Sequence, residues 1–303
     1  MPEGHSIHRL AAQFDSVFAG RTLAVSSPQG RFAAGAALID GHKLEAARAH
    51  GKQLFLQFSN ALILRVHLGL YGAWDFGGDS TFRGASSIGA PRRVGERETY
   101  DGGAPAVYEG PPAPVGQVRA RLVSDHGWAD LRGPTACEVI TEAERDAVVK
   151  KLGPDPLHPD SDPQQFVRRL TAKGSAAGIL LMDQTVVAGV GNIYRAESLF
   201  RQGISPWAAG KSLSEGQALD LWRDLVVLLG DGVRDGRIVT TRPAHRADPV
   251  GPASPEDAHY VYQRQGLACR VCGAAVRLED MGGRKLYWCP GCQLPGLTAA
   301  ADL

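Results

Sequence analysis

Ile7, Leu10, Ala11, Phe14 and Phe18 recur at intervals of three and four residues, the spacing that lines one face of a helix. A different period follows. Lys52-Gln-Leu-Phe-Leu-Gln-Phe58 and Ala61-Leu-Ile-Leu-Arg-Val-His-Leu68 are apolar runs flanking the polar Ser59-Asn60, and this arrangement predicts a β-hairpin whose first strand opens on Lys52. Residues 77–117 lose both periods. Fourteen of these 41 residues are Gly or Pro, and the stretch reads as a flexible insertion. Strand character returns at Val118-Arg-Ala-Arg-Leu-Val123, which continues the same sheet.

From about residue 140 the pattern turns helical. Phe166, Val167 and Leu170 start it, and Ile179-Leu-Leu-Met182 lies in a second segment. Gly189-Val-Gly-Asn192 makes a tight turn into a helix bearing Ile193, Ala196, Leu199 and Phe200, stopped by Gly203 and Pro206. Ser214-Glu-Gly-Gln217 matches a capping box, and Leu221, Leu225 and Leu228 give the helix behind it a buried stripe. Residues 240–258, rich in Pro, Ala and Asp, predict a linker, and 294–303 a loose tail.

At 303 residues the chain has room for two or three modules, and 44% apolar with 21% charged residues is ordinary for a globular protein. No apolar run reaches the roughly 18 residues of a membrane helix. The start, MPEGHSIHR, lacks the pattern of a secretory signal, so a cytoplasmic location is expected. A net charge of +1 announces no polyanion partner. Its distribution is permissive of one: residues 164–247 hold 11 Lys or Arg against 7 Asp or Glu, and 140–163 hold 3 against 6.

Four of the five cysteines form Cys269-Arg-Val-Cys272 and Cys289-Pro-Gly-Cys292, sixteen residues apart. That spacing suits a four-thiolate zinc site. Redox pairs are the rival reading, but they belong with a βαβ pattern, which is absent. Four thiolates leave no open coordination position, so such a zinc is structural. Cys137 stands alone and reads as a buried thiol.

The other candidates are individually weaker. Methionine trimming ahead of Pro2 would leave a secondary amine, and an α-amino group titrates near 8 against about 10.4 for lysine. Such an amine can attack a sugar aldehyde carbon, with Glu3 moving protons beside it. A Met-Pro start is also commonplace. Lys52, in phase with Leu54, Leu56 and Phe58, either reaches a cleft or snorkels at a strand end. His67-Leu-Gly-Leu-Tyr71 follows the hairpin; Leu70 and Tyr71 suit a wedge in a base stack or ordinary packing. Asn192 at a helix start and Arg284 at a hairpin tip both suit phosphate, or are simply a turn and an exposed arginine.

Together and in this order, these pieces resemble the formamidopyrimidine-DNA glycosylase and endonuclease VIII family. The carrying motifs are Pro2-Glu3-Gly4, Gly51-Lys52, His67-Leu-Gly-Leu-Tyr-Gly72, Leu152-Gly-Pro-Asp-Pro156, Leu181-Met-Asp-Gln-Thr-Val-Val-Ala-Gly-Val-Gly-Asn192 and the ribbon with Arg284. The resemblance spans all but 77–117, the linker and the tail.

It implies an α+β multidomain fold. A two-layered β-sandwich with flanking helices would occupy 1–135, a helix–two-turn–helix module 140–240 and a zinc ribbon 260–297. It also implies a monomeric glycosylase and lyase of base excision repair, without a membrane, working on damaged double-stranded DNA at the bacterial nucleoid with the target nucleotide flipped out.

Carried over, Pro2 is the nucleophile, Glu3 the proton shuttle, Lys52 the aid to β-elimination and Arg284 to δ-elimination. His67 and Asn192 hold phosphate, Leu70 and Tyr71 form the wedge, and Cys269, Cys272, Cys289 and Cys292 hold one structural Zn2+. The Leu70-Tyr71 pair resembles the endonuclease VIII branch, which favours oxidised pyrimidines. Ser6, where many relatives have Glu, and Gly178, often lysine in the 8-oxoguanine branch, depart from that other branch. A DNA-damage-binding protein without chemistry, and an oxidised-purine glycosylase, are the alternatives.

Overall fold

The apolar stripe of the first segment folds as helix α1 (Gly4–Phe18), with Ile7, Leu10, Ala11, Phe14 and Phe18 all buried. Phe14 meets Trp74 edge-on at 4.8 Å and Phe76 at 5.2 Å between ring centroids. Such aromatic contacts add to the burial that dominates a core of this kind. The computed structural model describes residues 2–90, 108 and 110–294. Two units arise, Met1–Lys151 and Leu152–Leu303.

In the first unit, α1 is followed by β1 (Thr22–Ser26), α2 (Ala33–Ile39), β2 (His42–His50), β3 (Gln53–Phe58), β4 (Leu62–His67), β5 (Ala73–Gly78) and β6 (Ser87–Gly89). Strands β7 (Val118–Val123), β8 (Gly127–Arg132) and β9 (Ala136–Thr141) and helix α3 (Glu142–Lys151) complete it. All pairings are antiparallel, in the order β6-β5-β8-β7-β1-β2-β3-β4-β9. The layers expected of a sandwich are joined through β1. One core, built from α1, β3, β4, β5, β7 and β8, is shared by both. On the opposite face Phe55, Ile63 and Ile140 pack under Val148 and Val149 of α3.

The hairpin expected around Ser59-Asn60 is β3–β4, turning at Ala61 with a φ of 62°. Lys52, however, does not open β3. His50 pairs with Gln53, so Gly51-Lys52 is the two-residue turn between β2 and β3, and Gly51 takes the positive φ of 56° that the turn requires.

The expected flexible insertion needs a larger correction. Residues 77 and 78 end β5, and β6 pairs with β5. Ala85 and Ile88 are buried. Gln13, on α1, donates from Nε2 to the Ala85 carbonyl at 2.9 Å and accepts its N–H at 2.8 Å, acting as a strand partner supplied by a side chain. Composition hides this order because the bonds come from 72 residues away. Residues 108 and 110–117 of that stretch carry no helix or strand, and 91–107 and 109 lie outside the described residues, as do 295–303 of the expected tail.

The second unit begins with α4 (Pro163–Thr171), α5 (Ala177–Leu180), α6 (Asn192–Arg201) and α7 (Glu215–Asp235). Ser214 and Gln217 form the capping box, and Gly236 ends α7 at a φ of 67°. Strands β10 (Arg277–Met281) and β11 (Arg284–Trp288) then make a hairpin. Residues 240–258 are less a linker than a strap: Thr240 donates its N–H to Ala258 at 2.8 Å, and Thr241 bonds Asp257. Among the described residues no helix is long and apolar enough to cross a membrane.

Candidate nucleic-acid and metal sites

Two anchors orient the start of the chain. Gly20 donates to the Leu44 carbonyl at 2.7 Å, and the Ala47 N–H reaches the Asp15 carboxylate at 3.2 Å. As α1 is followed backwards, β2 therefore runs forwards. From Asp15 to Gly4 a helix covers about 16 Å at about 1.5 Å per residue. From Ala47 to Lys52 a strand covers about 16 Å at about 3.3 Å per residue. The start of α1 and the Gly51-Lys52 turn thus fall at the same end of the unit. Pro2 and Glu3 are both buried there, Glu3 completely; Met1 lies outside the described residues.

Lys52 is also close to His67 at the end of β4. Burial lowers the His67 pKa from its ordinary value, and the charges of Lys52 and then Arg65 lower it further. His67 is therefore neutral at physiological pH and bonds through an uncharged ring. The backbone then turns at Gly69, whose φ is 67° and where a Cβ would lie 1.9 Å from Thr135 Oγ1. Beyond that tight point Leu70 is 39% and Tyr71 83% exposed, two apolar side chains at a loop tip. Leu68 is buried beneath them.

In the second unit Asn192 is the first residue of α6 and is nearly buried. Its Nδ2 donates to the Lys285 carbonyl at 2.9 Å, and Arg195 Nη2 donates to the same oxygen at 3.1 Å and to Asn192 Oδ1. Asn192 is thus engaged with the ribbon strand next to Arg284. Arg284 itself is exposed and follows Gly282-Gly283, both at positive φ (60° and 70°), the two-residue turn that matches strand twist. The tip lies against α5. A Cβ on Gly282 would be 2.8 Å from Ile179, and one on Gly178 would be 2.6 Å from Met281 Sδ. Gly178 has this role whatever its bearing on lesion choice.

The four cysteines converge. Their sulfurs lie within 4.8 Å of one another, with Cys269 to Cys292 at 3.8 Å and Cys272 to Cys289 at 3.4 Å. A tetrahedron of sulfurs about 2.3 Å from zinc has edges near 3.8 Å, whereas a disulfide needs about 2.05 Å. The donor set and its spacing therefore fit zinc. A hydrogen bond from Cys289 draws the Cys269 thiol down, to about 5, while that shared proton and burial push Cys289 up. Gly291 leaves room for Cys272, whose sulfur a Cβ there would meet at 2.6 Å.

The sequence reading missed the residues that seat this ribbon. Glu197, wholly buried on α6, accepts the backbone N–H groups of Tyr260, Val261 and Tyr262 at 2.7–2.8 Å and the Thr240 hydroxyl. Gln293 accepts the Cys289 N–H at 2.8 Å and donates to the Ile204 carbonyl at 3.0 Å. A carboxylate set among Ile193, Ala196, Leu199 and Phe200 was the available signal, since buried acids are rarely left unpaired.

An N-terminal sheet with a buried chain start, a helical module and a four-cysteine ribbon define a class of DNA repair glycosylase. Residues 1–125 match the model of the formamidopyrimidine-DNA glycosylase N-terminal domain, and 152–243 that of its H2TH domain. Endonuclease 8 1 of Mycobacterium tuberculosis is 42% identical over 293 residues, covering 97% of this chain and 100% of that one. Probable endonuclease 8 2 of Streptomyces coelicolor is 30% identical over 97% and 94% of the two chains. The crystal structure of the MutM (Fpg) protein of Thermus thermophilus superposes with a TM-score of 0.70 at 26% identity, over 96% of this chain and 98% of that one. The chain belongs to the formamidopyrimidine-DNA glycosylase and endonuclease VIII family, DNA glycosylases and AP lyases of base excision repair.

Proposed function

We propose that this protein excises oxidised bases, chiefly pyrimidines, from duplex DNA and then cleaves the strand by β- and δ-elimination through an iminium on Pro2. The observation that carries this reading is the common end shared by the buried Pro2-Glu3 pair and the Gly51-Lys52 turn. Once Met1 is removed, the Pro2 nitrogen attacks C1′ of the damaged nucleotide as the base departs, and Glu3 transfers a proton to help open the sugar. A secondary amine yields an iminium that cannot be neutralised by losing a proton from nitrogen. It therefore acts as an electron sink: the C2′ proton leaves to a base, the role given to Lys52 in this reading, and the 3′ phosphate departs. Arg284 assists loss of the 5′ phosphate, and His67 and Asn192 hold the backbone.

The lesion preference is supported by the likeness to a protein named endonuclease 8 and by the exposed Leu70-Tyr71 tip. Such a wedge would fill the gap left by a flipped nucleotide. Cys269, Cys272, Cys289 and Cys292 would hold one zinc ion, which cross-links the ribbon and leaves no open coordination position.

Borohydride trapping tests the mechanism. The adduct should map to Pro2, and one extra residue ahead of Pro2, which turns the amine into an amide, should abolish it. Full trapping by the extended protein would move the nucleophile elsewhere, with Lys52 the first suspect. Thymine glycol cut more slowly than 8-oxoguanine opposite cytosine would favour the oxidised-purine alternative.

A further inference from the structure

Trp207 is 41% exposed, and it does not sit on a loose loop. On one side the Pro206 carbonyl accepts the Gly178 N–H at 2.9 Å, and on the other the Ala208 carbonyl accepts the Ala177 N–H at 2.8 Å, so the backbone around it is pinned to α5. Its ring meets that of Trp288, at the end of β11, edge to face, with centroids 4.6 Å apart and the planes at 72°. Trp288 is itself fixed. Its Nε1 donates to Glu279 at 3.1 Å, and the Arg277 guanidinium lies 5.8 Å from the centre of its ring, within cation–π range. A single exposed apolar side chain needs no explanation. A tryptophan held out on pinned backbone, propped by a second ring that carries an arginine, does.

The hairpin register fixes what lies beside this pair. Arg277 pairs with Trp288 and Met281 with Arg284, so Arg277, Arg284 and Trp288 share one face of the ribbon. From Arg284 to Trp288 the strand covers about 13 Å at about 3.3 Å per residue. Both arginines are exposed, and with Glu279 the face carries two guanidinium groups against one carboxylate.

We propose that Trp207, propped by Trp288 and flanked by Arg277, is a stacking platform for an unpaired base of single-stranded DNA, on a strand that continues from the phosphate held by Arg284. The inference rests on Arg284 being a phosphate contact. Bases in a duplex keep their faces stacked on one another and offer an external ring nothing to cover, whereas an unpaired base exposes both faces. Aromatic rings bind such bases with little regard to sequence, and a nearby guanidinium takes the phosphate. DNA advances about 3.4 Å per nucleotide along each strand, so a strand at Arg284 comes level with the pair about four nucleotides on. The platform thus suits DNA whose strands part a few base pairs from the damage.

Binding of a labelled oligothymidine strand to the full chain tests this, with the same sequence paired as a duplex alongside. Trp207→Ala should weaken single-strand binding at least about fivefold, the lower end of what stacking on one base contributes. The loss on the duplex should be far smaller. Trp207→Phe, which keeps a ring, should retain most of the affinity. Arg277→Gln should reduce the salt dependence of single-strand binding by about 0.7 in the slope of log K against log salt, the share of one phosphate contact.

A single strand that the wild-type protein does not bind, or binds no better than Trp207→Ala does, overturns the inference. So does an equal loss on the duplex, or a loss in Trp207→Phe as large as in Trp207→Ala. Arg284→Ala with undiminished duplex affinity would instead remove the reading beneath it.

Discussion

The N-terminal unit is filled by apolar side chains gathered around Phe14, Trp74 and Phe76, whereas the C-terminal unit adds a set of buried polar atoms to the apolar cluster that seats its ribbon. There a carboxylate on α6 collects three backbone N–H groups, a glutamine bridges a cysteine knuckle to Ile204, and four thiols converge. Loss of an apolar side chain leaves a gap that neighbours close only in part, at a cost confined to that gap. Loss of one partner in a polar seat strands all the others in low dielectric. The first unit can therefore carry exposed, substitutable side chains at its loop tips, while the second depends on nearly every group in its seat.

Metal removal should produce the largest effect. Structural zinc in finger peptides is worth about 10–16 kcal/mol, more than many domains have in total stability. On chelation, amide exchange should accelerate across 260–293 while α1 and β2–β4 keep their protection. Ribbon amides that stay protected without metal would break the contrast.

Next come paired truncations. Phe14→Ala should cost the first unit about 3–5 kcal/mol in denaturant unfolding. Glu197→Ala should cost the second unit about 3 kcal/mol or more, since it strands several buried donors at once. The sharper signature is where the damage spreads: Glu197→Ala should loosen zinc retention, and Phe14→Ala should not.

Acid should affect both units with the same sign. Burial lowers the pKa of His5, and also of His259, below the ordinary 6.5. In each case the unfolded chain takes up the proton more readily. The stability they contribute is fully present above about pH 6.5 and falls as pH drops through 6.5, for His5 down to about 3. Stability measured between pH 7 and pH 4 should decline, and His5→Gln should flatten the decline in the first unit alone.

The smallest effect on stability is expected at Tyr71, which is 83% exposed. Tyr71→Ala should shift unfolding by less than about 0.5 kcal/mol. It should nonetheless slow excision from duplex far more than from single strands.

These contrasts also explain which parts of the molecule were legible in the sequence. The stripe Ile7 to Phe18, the β3–β4 hairpin, the Ser214 capping box and the cysteine pairs depend on neighbours a few residues away, and each is readable as a period or spacing. Lys52 was placed one position into a strand because alternation continues through the turn; only the pairing of His50 with Gln53 ends it. The ordering of 77–90 by Gln13, and the seat built by Glu197 from groups 43 to 65 residues distant, leave no local trace. Candidate chemistry was easier to find than the groups that support it, because reactive residue types are unusual while supporting bonds use ordinary ones.

The two-glycine turn at the ribbon tip has a consequence for how such a protein can evolve. Met281 pairs with Arg284 across just Gly282 and Gly283, and the tip lies against Ile179. Deleting a single residue would slip the register and put Lys285 in the place of Arg284, and inserting one would move Arg284 to the position of Lys285, on the opposite face of the hairpin. Descendants can therefore change the side chain at this point by point mutation, but a change of length is closed to them, and the spacing between the cysteine pairs is inherited with it.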